Sequence, residues 1–379
     1  MVAKTEKKLF TPVKIGAIQL KHRVVLPAMS RLRAHWPSAV PSDLMRDYYS
    51  QRASDGGLII TEANAVSPSA RAYHTGPGIY SEEQVESWKR ITDAVHAKGA
   101  TIFIQFSHAG RATSTKVIEI DPVAPSVDPA YWANKNIVVS APEGFVLPSP
   151  HKALDVTGIR EIVEQFRTAA ENAKRAGFDG IEILAGNAHL VEQFLHDGSN
   201  KREDNYGGSF ENRSRFLTEI LEAVTTVWSA DRVGVRISPS SVFGAMGDSD
   251  PHGLYGYLAE RLNDFGLAYL HIIEPRISGA DTVAEGQDPV AALHLGQIFR
   301  GMVIAAGGFS PESAENTVTS GVASLIAFGR YFTSNPDLPY RIEHNLPLTP
   351  YDRSTFYAFD SRGYTDFKTY AEAKAGEAA

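Results

Sequence analysis

Two short runs, Met302-Val303-Ile304-Ala305-Ala306-Gly307-Gly308 and Ser324-Leu325-Ile326-Ala327-Phe328-Gly329-Arg330, decide the fold. Each is apolar without alternation, the pattern of a parallel strand covered on both faces, and each ends in glycine. Six further strand-like runs precede them: Arg23–Ala28, Leu58–Ala65, Ala100–Phe106, Gly180–Leu184, Val233–Ser238 and Ala268–Ile273. Amphipathic helical patterns alternate with these strands, among them Ser81–Lys98, Thr157–Ala176 and Asn212–Trp228. Ser81, with Glu83 and Gln84 behind it, reads as an N-cap, and Gly99 and Gly177 stand where helices end. Eight β-then-α units predict an α/β chain folded as a single (β/α)8 TIM barrel.

Three stretches exceed the bare repeat. Residues 1–22 precede the first strand and are expected to cap the bottom of the barrel. Residues 107–154, with several prolines and the pair Tyr131-Trp132, follow strand 3 and would sit at the C-terminal face as a lid. Residues 345–379 form a C-terminal tail whose Ala/Glu/Lys end reads as disordered. No Pro- or Gly-rich linker divides the chain, so residues 1–379 are expected to form one domain.

Composition narrows the function. The chain has 379 residues, 43% of them hydrophobic, which is ample for a large core. A formal charge of −7 argues against a nucleic-acid or anionic-membrane partner. No apolar run is long enough to span a bilayer, and no apolar segment follows the basic N-terminus as in a signal peptide. The absence of cysteine removes disulfides, thiolate metal sites and thiol nucleophiles, and fits a reducing cytoplasm. No metal site is read from the remaining residues.

Chemistry in such a barrel belongs at the C-terminal ends of the strands. Those ends carry Ala28-Met29-Ser30, Gln105, Leu184-Ala185-Gly186-Asn187-Ala188-His189, Arg236, Gly307-Gly308 and Gly329-Arg330. Loops after strands 7 and 8 are the usual phosphate site of this fold, since glycine lets backbone N–H groups approach an anion. Arg330 adds a bidentate partner, although glycines there are also ordinary turn residues. A glutamine such as Gln105 suits the edge of a planar heterocycle, and Arg236 suits negative charge developing on it. A buried ion pair of Arg236 with Glu182 or Glu274 is the structural alternative.

The sequence resembles the old yellow enzyme family from about Leu9 to Tyr370. The strongest motif is Gln193-Phe194-Leu195, followed by Ser199-Asn200-Lys201-Arg202 and Asp204-x-Tyr206-Gly207-Gly208-Ser209-x-Glu211-Asn212-Arg213. Leu9-Phe10-Thr11-Pro12, Gln105-x-x-His108-x-Gly110-Arg111, Asn335-Pro336-Asp337-Leu338 and Gly363-Tyr364-Thr365-Asp366 match other family signatures. The resemblance implies non-covalent FMN across the top of the barrel. Ala28, Met29, Ser30 and Ala63 would flank the ring, and Gln105 and Arg236 would hold its pyrimidine edge. Gly307, Gly308, Gly329 and Arg330 would take the phosphate. It further implies NADPH or NADH as reductant, with hydride passing from flavin N5 to an electron-poor alkene.

The substrate side departs from the family pattern of His, then His or Asn, then Tyr. Those positions are Leu184, Asn187 and His189 here. Leu184 donates no hydrogen bond, which leaves Asn187 alone to hold the substrate oxygen. His189 is expected to replace the tyrosine as proton donor, acting best as the imidazolium; plain pocket lining is the other reading. Ser107 stands where many members have tryptophan, which predicts a larger pocket, with Tyr73, Phe243, Tyr357 and Phe356 as its aromatics. Reduction of enones or nitroalkenes is the expected activity. Desaturation, isomerisation or reduction of nitro and nitrate-ester groups is the alternative within the class, and a flavin-binding protein with decayed catalysis lies outside it. The oligomer is expected to be a monomer or homodimer.

Overall fold

The computed structural model describes residues 7–279, 281–284, 286 and 288–377. The first six residues of the expected N-terminal cap and the last two of the tail lie outside the described residues. Eight parallel strands close into a barrel: β1 (Val24–Leu26), β2 (Leu58–Ala65), β3 (Thr101–Ser107), β4 (Gly180–Ala185), β5 (Val233–Ile237), β6 (Tyr269–Ile273), β7 (Val303–Ala306) and β8 (Leu325–Ala327). β8 pairs with β1, which closes the ring. The surrounding helices include α1 (Asp43–Arg52), α2 (Glu82–His96), α3 (Val156–Arg175), α4 (Leu190–Leu195), α5 (Phe210–Thr225), α6 (Pro251–Leu262), α7 (Pro311–Thr319) and α8 (Gly329–Ser334).

The helices begin where side chains satisfy their free N–H groups. Ser81 and Gln84 form a reciprocal capping box on α2. α5 starts two residues before its expected Asn212, because the Ser209 hydroxyl accepts from the Asn212 N–H and so sets the first turn earlier. Gly99 and Gly177 hold positive φ just past α2 and α3, a conformation open to glycine without a Cβ clash.

Strand alternation sorts the core into two layers. Ile102, Ile104, Ile181, Ile183, Val233 and Val235 face the helices. Val25, Leu58, Ile60, Phe103, Tyr269, Ile304 and Leu325 fill the barrel. A Cβ on Gly180 would lie 2.4 Å from the Phe103 ring, and one on Gly234 would lie 2.3 Å from Tyr269. Those two glycines therefore make room for the two large rings in the lower layer. The hairpin Val13–Ile15/Ile18–Leu20 adds Val13, Ile15 and Leu20 to the same inner cluster and closes the N-terminal end.

The insertion after β3 holds two short helical turns and the hairpin Val139–Ala141/Gly144–Val146. It is tied to neighbouring loops of the C-terminal rim, with the His74 N–H donating to the Ser140 carbonyl at 3.1 Å and Leu190 N–H to His108 at 2.8 Å. The end expected to be disordered is helical over Tyr370–Glu377. The tail before it is fastened by arginine: Arg31 and Arg52 donate to the carbonyls of Gly363 (2.7 Å) and Tyr364 (3.0 Å). Tyr364 stacks on Tyr48 at 4.1 Å, so guanidinium forks and rings hold residues 351–364 against the barrel mouth.

Candidate active site

The strand ends open into one cavity of about 550 Å³. It is lined by Ala28, Met29, Ser30, Ala63, Tyr73, Gln105, Leu184, Asn187, His189, Arg236, Phe243, Gly307, Gly308, Gly329, Arg330, Phe356 and Tyr357. Every residue expected at the site is thus brought together except Ser107. That serine is buried, hydrogen-bonds the Asn64 carbonyl at 3.3 Å, and lines a small neighbouring cavity beside Ser30, Ala63 and Tyr73. No residue of the 107–154 insertion lines the main cavity. Its outer walls come instead from Ile277, Gly279, Asp281 and Thr282, from Phe243, and from the tail residues Tyr351, Phe356 and Tyr357.

Strand geometry explains the floor. Gln105, Glu182, Arg236 and His271 all point inward, one residue pair above the aromatic layer. The Gln105 amide nitrogen donates to Glu182 Oε1 at 2.6 Å, and His271 Nδ1 donates to Glu182 Oε2 at 2.8 Å. Burial acts to raise the Glu182 carboxyl, but His271, Arg236 and the Gln105 bond outweigh it and hold it below the usual range. Burial pushes His271 down, so an ionised glutamate accepts from a neutral imidazole. A carboxylate can only accept, so the Gln105 amide nitrogen faces Glu182 and its carbonyl oxygen is left for another donor. Arg236 donates from Nη1 to the Ala28 carbonyl at 2.8 Å, while its buried Nε has no partner among the described residues. Arg236 makes no direct ion pair with Glu182; the two interact through space. The sequence signal for this network was a lone Glu in an apolar strand, which pattern alone did not connect to Gln105 or His271. Along β2 the register shifts between Ile60 and Ala63, and this irregularity turns Ala63 toward the mouth.

The loops after β7 and β8 are built for an anion. Gly307 and Gly308 hold φ of 122° and 66°. A Cβ at Gly307 would lie 2.7 Å from Ile277, so only glycine gives this close backbone approach. Arg330 donates from Nη1 to Thr282 at 2.8 Å, and its buried Nη2 lacks a partner among the described residues. An unsatisfied buried guanidinium N–H on each of two residues lining one cavity costs free energy unless a ligand accepts from it. A planar ring with carbonyl edges joined to a phosphate meets both needs, so these residues fit FMN.

The loop after β4 carries the substrate-side residues. Asn187 and Ala188 hold φ of 55° and 63°, two consecutive left-handed residues. The Asn187 N–H donates to the Ser238 hydroxyl at 2.9 Å, and the Ala188 N–H to Glu192 Oε2 at 2.5 Å. The Asn187 side-chain amide is engaged by no other described residue. Leu184 is buried and contributes only apolar wall. His189 Nδ1 lies 3.0 Å from the Asn187 carbonyl, which can only accept, so the ring proton sits on Nδ1. Its Nε2 is sealed from solvent without a partner among the described residues, and burial pushes the ring down to about 4. Near neutral pH the ring is uncharged, and its one proton is donated to the backbone carbonyl of Asn187. Burial is what the linear sequence did not reveal.

Comparison with known proteins agrees with this geometry. Residues 8–349 match the NADH:flavin oxidoreductase / NADH oxidase family. A 12-oxophytodienoate reductase 1 of Oryza sativa subsp. japonica is 44% identical over 363 residues, 95% of this chain and 92% of its own. An old yellow enzyme homologue from Zymomonas mobilis superimposes with a TM-score of 0.89 at 35% identity, covering 95% of this chain and 99% of its own. Morphinone reductase in complex with tetrahydroNAD gives a TM-score of 0.86 at 40% identity, covering 95% and 97%. No helix among the described residues is long and apolar enough to cross a membrane. The chain belongs to the NADH:flavin oxidoreductase / NADH oxidase family, that of the old yellow enzymes, and is an FMN-dependent oxidoreductase.

Proposed function

We propose that this oxidoreductase oxidises NADH or NADPH and reduces the C=C bond of an electron-poor alkene such as an enone or nitroalkene. The observation that carries the reading is that one cavity is lined by Arg236 and Gln105, by Gly307, Gly308 and Arg330, and by Asn187. FMN, when bound, supplies the hydride chemistry between nicotinamide and acceptor. The protein supplies orientation and electrostatics. Gln105, its amide nitrogen held by Glu182, would accept through its carbonyl oxygen from the pyrimidine edge, and the fixed charge of Arg236 would favour negative charge there. Ala28, Met29, Ser30 and Ala63 flank the ring. Gly307, Gly308, Gly329 and Arg330 bind the phosphate.

Asn187 donates its amide N–H to the acceptor oxygen, withdrawing electrons from the alkene. Leu184 offers no second donor, and loss of one such bond in comparable sites lowers rate by about 10²–10³. Tyr73, Phe243 and Tyr357 give the acceptor an apolar enclosure. His189 lines the pocket and water delivers the proton.

Anaerobic mixing tests the reading. The yellow enzyme should bleach with NADPH or NADH and regain its colour with 2-cyclohexenone. Bleaching without re-oxidation by the enone would reject alkene reduction. Re-oxidation by a nitro compound or nitrate ester instead would move the activity within the class.

A further inference from the structure

A fully buried carboxyl stands beneath the substrate-side loop. Glu192, on α4, is 0% exposed, and both its oxygens are used. Oε2 accepts from the Ala188 N–H at 2.5 Å, and Oε1 accepts from the Ser238 hydroxyl at 2.5 Å. The Ser238 oxygen in turn accepts from the Asn187 N–H at 2.9 Å. The two N–H groups of the left-handed pair Asn187-Ala188 therefore end on one cradle, directly or through one hydroxyl. Neither residue is glycine, so the backbone resists this conformation and something must hold it. Gln193 holds the other side, donating to the Ala188 carbonyl at 2.7 Å. Among the titratable groups close by, Tyr255 pairs through its hydroxyl with His196 at 2.7 Å, and His196 lies 3.9 Å from Glu192 Oε1 and is pushed by burial to about 4. It is uncharged near neutral pH, so the carboxyl serves the loop and not an ion pair.

We propose that Glu192, with Ser238, is a positioning residue that holds the Asn187-Ala188 turn and so aims the Asn187 amide at the acceptor oxygen. The inference rests on the reading of Asn187 given above, and it adds a residue that never touches substrate. Side-chain size is not the requirement; an acceptor for the Ala188 N–H and a hydrogen-bond partner for Ser238 at this depth are.

The test uses holoenzyme and 4-hydroxybenzaldehyde, whose binding is followed by the long-wavelength charge-transfer band of phenols over flavin. Glu192→Met should weaken Kd by about 10-fold, the scale of a lost buried hydrogen bond, with FMN retention unchanged. Glu192→Gln keeps one acceptor and a donor for Ser238, and should restore affinity to within about 3-fold of wild type. In an Asn187→Ala background the Glu192→Met change should shrink to under about 2-fold, because the residue acts through Asn187. Equal weakening in both backgrounds, or a wild-type Kd for Glu192→Met, would overturn the proposal. Should Glu192→Met not fold, Ser238→Ala removes the other half of the cradle and should show the same dependence on Asn187. If Asn187→Ala alone leaves Kd unchanged, the reading of Asn187 fails, separately from that of Glu192.

Discussion

Replacing His189 by phenylalanine separates a proton donor from a wall. With the ring held at about 4, only about one molecule in 10³ carries the imidazolium at pH 7, from the three-unit difference. A positioned general acid contributes about 10²–10⁴ in rate. Multiplied by that occupancy, the imidazolium route gains about 0.1- to 10-fold, which is no clear advantage over water. The neutral ring adds nothing further, because its proton is donated from Nδ1 to the Asn187 carbonyl at 3.0 Å. Reduced enzyme mixed anaerobically with 2-cyclohexenone in a stopped-flow instrument reports the oxidative step. From pH 7 to 8, where that occupancy is about 10⁻³ or less, the wild-type rate should show no slope from His189, and His189→Phe should stay within about 10-fold of it. A rate that climbs about tenfold per pH unit on acidification, with the climb lost in His189→Phe, would refute the reasoning and restore the imidazolium.

Other consequences can be checked independently. Arg330→Glu places a carboxylate where Nη2 now awaits an acceptor, and FMN released by ultrafiltration should rise sharply; full retention would move the phosphate site elsewhere. Leu184→His adds a donor beside Asn187 and should tighten 4-hydroxybenzaldehyde by about 10- to 150-fold, the equivalent of ~1.5–3 kcal/mol; an unchanged Kd would mean the bound oxygen points away from position 184. Burial holds His22, His151, His189 and His196 down to about 4 and His108 to about 3. The unfolded chain binds protons near 6.5 that the folded chain refuses, so stability is complete above that pH and falls as pH drops toward 4. The urea midpoint should therefore be lower at pH 5 than at pH 7.5, and an equal or higher midpoint would contradict these burials.

The sequence by itself determined the barrel, because its evidence is local. Apolar runs such as Met302–Ala306 and Ser324–Phe328 must be strands covered on both faces, and Ser81 and the glycines after α2 and α3 mark helix limits through the backbone of a few residues. Strand-end positions also named part of the cavity lining in advance, such as Gln105 and Arg236, since period-two alternation fixes which residues face inward once the barrel closes. Partnership between distant residues was not legible. Glu182 meets Gln105 and His271 across 77 and 89 positions of chain, and Ser238 meets Asn187 across 51. The same holds for the cavity wall: Phe356 and Tyr357 lie in what reads as a loose tail, and only the grip of Arg31 and Arg52 on its carbonyls places them at the mouth. Protonation was hidden for a related reason. The residue type of His189 gives an ordinary value near 6.5, but burial and one carbonyl, set by the packed loop, decide that it is neutral and where its proton lies. Local geometry follows from neighbours in sequence, whereas desolvation and hydrogen-bond pairing depend on neighbours in space that only the closed barrel brings together.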